Sequence, residues 1–235
     1  MSAMPAHAYR LIVFDYDGTL VDSQHNIVAA MGEAFTACGL PAPPATAVRQ
    51  VVGLSLEAAL EELLGDQAQS ALPRVAQAYR DSFLAMRLHT EFHEPLFEDV
   101  RETLLGLNQP DVSLGIATGK AMRGLRASLE RHQISGLFVT LQTADRHPSK
   151  PHPAMLRQAM AEAGAEAQET VLIGDTSFDM AMARSADVAA IGVSYGYHGA
   201  EDLRRAGAAA IIDAMRELPA ALSALAPADE EPQPR

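Results

Sequence analysis

Two carboxylates separated by one residue follow the first apolar run of the chain, in the segment DYDGTLVDS at residues 15–23. The run before them, residues 10–14, has the composition of a buried strand. Ligands of open parallel sheets bind beyond the carboxyl ends of strands, so Asp15 and Asp17 would leave the strand where chemistry is expected. Gly18 permits a turn that brings both side chains to one site. A lone Asp-x-Asp also fits a polar turn, but the full segment favours a chemical role.

Two other segments offer groups that could hold phosphate oxygens. IATGK at residues 116–120 supplies the Thr118 hydroxyl and backbone amides, with Gly119 allowing close access. SKPHP at residues 149–153 presents Lys150 from a loop that two prolines stiffen, and a fixed cation suits a transferring phosphoryl group. Thr-Gly pairs and solvated lysines are both common, but this chain has only two lysines and both lie in these segments.

A second pair of carboxylates lies in IGDTSFD at residues 173–179, after another apolar run. Asp175 can point into a site at the strand end, and Asp179 lies at the start of the following helix, where a carboxylate is favourable. Paired hard oxygen ligands beside Asp15 would suit Mg²⁺. Asp179 also fits a plain helix-start role without metal.

These segments lie in a chain that alternates apolar strand patterns with helical patterns. The predicted strands are residues 10–14, 112–117, 170–173, 188–193 and 209–212. The predicted helices between them are residues 100–107, 122–131, 153–163, 178–185, 201–206 and 214–225. Such alternation predicts an α/β fold with a parallel sheet covered on both faces.

The alternation stops between residues 23 and 92, where no strand pattern occurs. The predicted helices of this stretch are residues 26–37, 46–52, 56–64 and 69–88. We therefore predict an α/β core from residues 1–22 and 93–225, a helical domain inserted at residues 23–92, and a disordered tail at residues 226–235, which is rich in proline and acid.

Composition narrows the functional class. The chain has 235 residues and a formal net charge of −12, which argues against nucleic acid as a main partner. No apolar run approaches the roughly 20 residues of a membrane span, and the N-terminus has no secretory signal pattern. A single cysteine, Cys38, excludes an intrachain disulfide and fits a reducing cytoplasm. The sequence does not indicate the oligomeric state.

The ordered segments DYDGTLVDS, ATGK, SKPHP and GDTSFD resemble the four motifs of the haloacid dehalogenase superfamily. They are most similar to its phosphoglycolate-phosphatase-like branch, over residues 10–222. The resemblance implies a Rossmann-like core with a helical cap inserted after the first strand. It also implies a Mg²⁺-dependent phosphatase that hydrolyses a small phosphorylated metabolite through a phospho-aspartate. One departure is LFEDV at residues 96–100, where relatives commonly carry Pro-Gly before the valine.

The same resemblance implies roles for individual residues. Asp15 would be the nucleophile and a Mg²⁺ ligand, and Asp17 would act as general acid and base while binding Mg²⁺ through its main-chain carbonyl. Thr118 would hold the phosphoryl group, with Gly119 beside it, and Lys150 would neutralise charge. Asp175 would bind Mg²⁺, and Asp179 would support the metal shell.

Substrate selection is expected from the inserted helices, with Arg49 and Ser55 as candidate contacts beside a cap segment, VVGLS, that resembles the specificity loop of the family. Arg49 also fits a solvated helix arginine. A haloacid dehalogenase is disfavoured by Asp17, and a phosphonatase by the lack of lysine in residues 21–92. A phosphosugar mutase and a non-catalytic binding module remain as alternatives.

Overall fold

A computed structural model describes residues 9–89 and 92–225. The strands form one parallel sheet in the order β3-β2-β1-β4-β5-β6. The strands are β1 (Leu11–Phe14), β2 (Ser113–Thr118), β3 (Phe138–Thr143), β4 (Thr170–Gly174), β5 (Ala189–Val193) and β6 (Ala210–Ile212). The predicted α/β class and parallel sheet are confirmed.

The helices cover both faces of the sheet and fill the stretch between β1 and β2. They are α1 (Gln24–Ala37), α2 (Ala45–Val51), α3 (Leu56–Leu64), α4 (Ala68–Arg87), α5 (Val100–Leu107), α6 (Met122–Arg131), α7 (Ala154–Ala163), α8 (Ser177–Ser185), α9 (Ala200–Ala206) and α10 (Leu218–Leu225). Nowhere in residues 9–89 and 92–225 is there a helix long and apolar enough to cross a membrane.

Side chains along β1 point alternately to the two faces of the sheet, and each face packs against its own apolar cluster. Ile12 and Phe14 belong to one apolar cluster, which includes residues of α5, α6 and α10. Leu11 and Val13 face the opposite cluster, formed with α7, α8 and α9. All four residues of β1 are fully buried, as expected for a central strand covered on both faces.

The helices α1–α4 pack on one another through a third apolar cluster, which contains Ile27, Phe35, Leu60 and Val75. Their predicted bounds differ from the observed ones by at most two residues. Val21, which precedes α1, forms isolated β-bridges with Asp17 and with Leu96. The bridge to Leu96 joins the segment before α1 to the segment after α4.

The sequence prediction missed β3, an edge strand whose hydrophobic pattern is inverted. Val139 is 61% exposed, whereas the polar side chains of Thr140 and Gln142 are buried. Both are hydrogen-bonded to Glu162 of α7, at 2.6 and 2.9 Å. Because Thr140 and Gln142 are buried with a hydrogen-bond partner, polar residues take the place of an apolar run in this strand.

Two smaller differences concern helix and turn chemistry. The predicted helix at 214–225 is a 3₁₀ turn, Met215–Glu217, followed by α10, whose second residue is Pro219. A proline lacks the backbone donor that a continuous helix would use there. Asp99, in the segment LFEDV where the family resemblance implies Pro-Gly, has a left-handed φ of 62°. The predicted disordered tail lies outside the described residues.

Candidate active site

Asp15 follows β1 at the point where the order of the strands reverses. Phe14 is in register with Ile116 of β2 and with Ile173 of β4, so Asp15 emerges between the ends of those two strands. Its backbone N–H donates to the Ile173 carbonyl at 2.8 Å. A crevice at such a switch point is where open α/β sheets bind their ligands.

The Asp15 carboxylate is buried and has one cationic neighbour. Lys150 Nζ lies 2.8 Å from Asp15 Oδ1. Asp15 Oδ2 is buried without a hydrogen-bond partner among the described residues. A buried carboxylate oxygen with no donor is poorly stabilised unless a cation or a ligand contacts it. The free oxygen of Asp15 is therefore a candidate contact for a cation or a ligand.

Lys150 is itself fully buried, and it bridges two carboxylates. Its ammonium lies 2.7 Å from Asp179 Oδ1, in addition to its contact with Asp15. Burial opposes the charge on Lys150, but the two carboxylates raise its pKa above the ordinary value. Lys150 is therefore a fixed cation next to Asp15, as the prolines of its loop suggested.

Asp175 follows β4 and is held by groups from two other loops. Thr19 donates its hydroxyl to Asp175 Oδ1 at 2.9 Å, and the backbone N–H of Tyr197 donates to Oδ2 at 2.9 Å. A Cβ at Gly196 would lie 2.2 Å from the Cβ of Asp175, so only glycine allows this approach. The loop after β5 was not predicted as part of the site, although it leaves the same edge of the sheet.

Asp179 lies in the first turn of α8 and contacts Lys150. Its Oδ2 accepts from the Thr176 backbone N–H and hydroxyl, at 3.0 and 2.6 Å, and Thr176 caps the N-terminus of α8. Its Oδ1 contacts Lys150. Since both oxygens have partners, Asp179 is suited to position Lys150 and to add negative charge near a metal.

The donor set fits a divalent cation. Asp15, Asp175 and Asp179 each offer a carboxylate oxygen within 4.8 Å of the others. Burial raises the pKa of Asp15 to about 7, with Lys150 offsetting part of that effect, and burial and the Asp15 charge raise the pKa of Asp175 well above its ordinary value. A hard cation with oxygen ligands would relieve this excess of buried negative charge.

Asp17 is held by a network of side chains for which the sequence predicts no role. Asp17 Oδ1 accepts from the Ser23 hydroxyl at 2.7 Å and from Lys120 Nζ at 2.8 Å. Lys120 also contacts Glu94 Oε1 at 3.2 Å, and the buried Glu94 accepts from Ser128 at 2.7 Å. Lys120 lies in a predicted segment, whereas nothing near Glu94 in sequence signals its position.

Thr118 and Gly119 lie at the end of β2, as predicted. Thr118 is buried, and its hydroxyl oxygen accepts from the Lys120 backbone N–H at 3.1 Å. A Cβ at Gly119 would lie 2.3 Å from the carbonyl oxygen of Leu54 and 2.7 Å from that of Gly53. The loop between α2 and α3 therefore closes directly over this strand end.

Comparison with known proteins identifies the family. The family described as haloacid dehalogenase-like hydrolase matches residues 12–193. The chain belongs to this family. It is 36% identical to "Probable phosphatase IndB" of Dickeya dadantii, over 92% of this chain and 94% of that protein. It is 30% identical to a phosphoglycolate phosphatase of Vibrio parahaemolyticus, over 89% of this chain and 94% of that one.

Solved structures of the family share the fold. A haloacid dehalogenase-like hydrolase of Streptococcus pneumoniae superposes with a TM-score of 0.77 at 26% identity, covering 91% of this chain and 98% of its own. A predicted phosphatase of Clostridium acetobutylicum gives 0.82 at 24% identity, with 92% and 99% covered. The fold implied by the four motifs is thereby confirmed.

In this haloacid dehalogenase-like hydrolase, a cavity of about 590 Å³ lies between the helices α1–α4 and the strand ends. Asp15, Asp17 and Thr118 line it from the sheet side. Arg80 and Arg87 of α4 line it from the helical side, and no sequence pattern predicts that position for them. They are distant in sequence from the loop at residues 51–55, and only folding of α4 across the site reveals them.

Arg49 and Ser55, the predicted substrate contacts, do not line this cavity. Arg49 Nε donates to Gln24 Oε1 at 2.9 Å, which ties α2 to α1. The Ser55 side chain accepts from the Ala58 backbone N–H and caps α3, and its own N–H donates to Ser149 Oγ at 2.8 Å. Leu54 and Gly53, between them in sequence, do reach the cavity.

Proposed function

We propose that this chain is a Mg²⁺-dependent phosphatase that hydrolyses a small phosphate monoester through a phospho-aspartate on Asp15. The observation that carries the proposal is the Asp15 carboxylate, buried 2.8 Å from Lys150 with one oxygen free, at the base of a cavity. The relatives named phosphatase and phosphoglycolate phosphatase support the reaction class.

In the first step, an oxygen of Asp15 attacks the phosphorus and the bond from phosphorus to the leaving oxygen breaks. Two anions must approach each other, and Lys150 offsets part of that repulsion. Asp17, when protonated, gives its proton to the leaving alkoxide. The Thr118 hydroxyl and the amides beside Gly119 hold the phosphoryl oxygens.

In the second step, water attacks the phosphorus of the acyl phosphate and Asp17 takes its proton. The bond between phosphorus and Asp15 breaks, so the carboxylate is regenerated and inorganic phosphate leaves. Lys120 and Ser23 orient Asp17 through its Oδ1 in both directions of proton transfer.

Asp15, Asp175 and the main-chain carbonyl of Asp17 would hold Mg²⁺, with Asp179 in support. When bound, the metal supplies positive charge that stabilises the transferring phosphoryl group. The free Oδ2 of Asp15 and the raised pKa of Asp175 support this assignment.

Residues 23–92 are proposed to act as a cap over an α/β core formed by residues 1–22 and 93–225. Contacts of Gly53 and Leu54 with Gly119, and of the Ser55 N–H with Ser149, support closure over the strand ends. Closure would exclude water and bring cap residues to the leaving group.

The test is phosphate release from p-nitrophenyl phosphate and phosphoglycolate with and without Mg²⁺. We expect metal-dependent release by the native protein and none by the Asp15→Asn variant. Acid-quenched protein should gain the mass of one phosphoryl group, and a control quenched from the variant should not. Release that is unchanged in the variant would exclude a phospho-aspartate on Asp15.

A phosphosugar mutase remains the second candidate, since Arg80 and Arg87 line the cavity and could hold a second phosphate. Arg80 is paired with Glu57, whereas Arg87 has no carboxylate within ion-pair distance among the described residues. A mutase would convert one sugar phosphate isomer into another, whereas a phosphatase releases the phosphate. A non-catalytic module would do neither.

A further inference from the structure

The cavity above Asp15 is larger than a two-carbon leaving group requires. Its volume of about 590 Å³ lies within the roughly 300–1,000 Å³ typical of sites for drug-sized ligands. At about 30 Å³ for each water, it has the space of roughly twenty waters, whereas phosphoglycolate would replace only about five. A glycolate leaving group would leave most of the cavity to solvent.

This volume does not come from a cap that stands open. On one side of the cavity the Leu54 carbonyl lies against Gly119, where a Cβ would be only 2.3 Å away. On the other side Arg87 of α4 donates to the Gly124 carbonyl at 3.4 Å. The helical segment therefore contacts the core on both sides of a cavity that stays partly open to solvent, and a ligand in it would touch both the helices and the strand ends.

The helical side of the cavity is mostly apolar. Its apolar side chains come from all four inserted helices: Ile27, Met31, Val48, Ala59, Tyr79 and Phe83. Ala59 is buried but does not belong to the apolar cluster that joins these helices, so its methyl group faces the cavity. Such walls favour an apolar ligand over a small, strongly hydrated anion.

The same wall also carries polar side chains, among them Glu57, Arg80 and Arg87. The Arg87 guanidinium lies 5.0 Å from the centre of the Phe83 ring, and Lys120 Nζ lies 5.5 Å from the same centre. Lys120 is occupied by two carboxylates. Arg87 has no carboxylate within ion-pair distance in residues 9–89 and 92–225, and its buried Nε has no hydrogen-bond partner there. A buried donor without a partner is costly unless a ligand supplies the acceptor.

We propose that the substrate is a phosphate monoester whose leaving group is bulky and largely apolar and carries a hydrogen-bond acceptor for Arg87. The apolar walls hold the body of the leaving group, and the guanidinium binds an acceptor such as a carboxylate. This inference rests on the proposed phosphatase function and narrows its substrate class.

The first experiment varies only the size of the leaving group. The esters are ethyl, butyl and hexyl phosphate, whose leaving alcohols have similar acidity, with phosphoglycolate as the reference. We expect kcat/KM to rise along the series by up to about fourfold for each buried methylene. Hexyl phosphate should exceed phosphoglycolate at least tenfold.

Ala59→Leu should flatten this rise, because the added carbons occupy cavity that the longer chains would use. Ala85→Leu, at an exposed position on α4, is the matched control and should leave the rise unchanged. A flat series in the native protein, or phosphoglycolate as the best ester, would overturn the proposed leaving group.

The second experiment tests Arg87 with hexyl phosphate and its counterpart bearing a terminal carboxylate, 6-phosphooxyhexanoate. The native protein should prefer the carboxylate ester, and Arg87→Gln should reduce that preference at least tenfold. Equal losses for both esters would mean that Arg87 does not recognise the leaving group.

The phosphatase function and the substrate class are tested by different outcomes of these experiments. Mg²⁺-dependent release from the short esters, lost in Asp15→Asn but indifferent to chain length, would leave the phosphatase and remove the substrate class. No release from any ester would remove the phosphatase itself.

Discussion

Replacing Asp15 with asparagine should make the metal-free protein more stable at neutral pH while abolishing turnover. The pKa of Asp15 is raised to about 7 by burial, against an ordinary value of 3.8, and Lys150 offsets only part of that effect. The folded protein therefore holds a proton that the unfolded chain has already lost over the range between these values. As pH rises through that range, ionisation of Asp15 increasingly favours the unfolded chain.

The size of the effect follows from the two pKa values. At pH 7.5 a carboxyl with pKa values of 3.8 unfolded and about 7 folded destabilises the fold by about 4 kcal/mol, at about 1.36 kcal/mol for each unit. Asparagine carries no such charge, so the variant should gain on the order of that amount. At pH 5 the gain should shrink to about 1.6 kcal/mol, and near pH 3.8 it should almost vanish.

The assay is urea unfolding of both proteins in EDTA at pH 5.0 and pH 7.5, with Asp111→Asn, at an exposed carboxyl, as the control. Asp111→Asn should leave the free energy of unfolding unchanged at both pH values. Saturating Mg²⁺ should stabilise the native protein more than Asp15→Asn, since ligand binding at a hundred times Kd contributes about 2.7 kcal/mol. A variant no more stable than the native protein at pH 7.5 would refute the argument from burial.

The remaining predictions concern the metal, the proton donor and the loop over the site. EDTA should remove phosphatase activity, and added Mg²⁺ should restore it. Ca²⁺ should substitute poorly, because its coordination shell is larger and less rigid. Full activity after exhaustive chelation would contradict the metal role. Lys120→Met should lower kcat at least tenfold and destabilise the fold by up to about 3–5 kcal/mol, because the buried Glu94 would keep only the more distant, partly exposed Arg131 as a cation. Adding Glu94→Gln should recover stability in urea unfolding but not kcat, and recovery of both would mean that Lys120 does not orient Asp17. Gly119→Ala should lower kcat/KM at least tenfold, since the new Cβ would lie 2.3 Å from the carbonyl oxygen of Leu54. The control Gly106→Ala adds a Cβ that meets no atom within 4 Å and should not change kcat/KM. Equal rates for both variants would show that the loop between α2 and α3 does not need to close.

The sequence predicted what depends on local patterns. Buried runs of β-branched residues marked five strands to within a residue or two at each end, and the four motifs identified Asp15 and Lys150 as neighbours. These predictions succeed because a central strand must be apolar and because parallel strands end at one edge of the sheet. The sequence did not reveal β3 because two of its buried residues, Thr140 and Gln142, are polar and bind Glu162, a partner that is distant in sequence.

The parts of the site that escaped prediction depend on tertiary contacts between ordinary residues. Glu94 has no distinctive neighbours in sequence, and it acquires a role only because Lys120 and Ser128 meet it in the fold. The sequence favours Arg49 over Arg87 as a substrate contact, because Arg49 is close in sequence to the loop at residues 51–55. Long helices such as α4 carry side chains far from the loops that flank them, so loop proximity is a poor guide to cavity walls.

The electrostatics of the site connect its stability to its chemistry. Asp15, Asp175 and Asp179 place three buried carboxylates around one fully buried ammonium, Lys150. Such an excess of negative charge opposes folding, as the raised pKa values of Asp15 and Asp175 express. The same excess is relieved by a divalent cation, and a bound cation would lower both pKa values and return Asp15 to the ionised form that a nucleophile needs. Metal binding, ionisation of Asp15 and stability of the fold are therefore one coupled equilibrium, so a cation that binds this site must both stabilise the protein and release protons near pH 7.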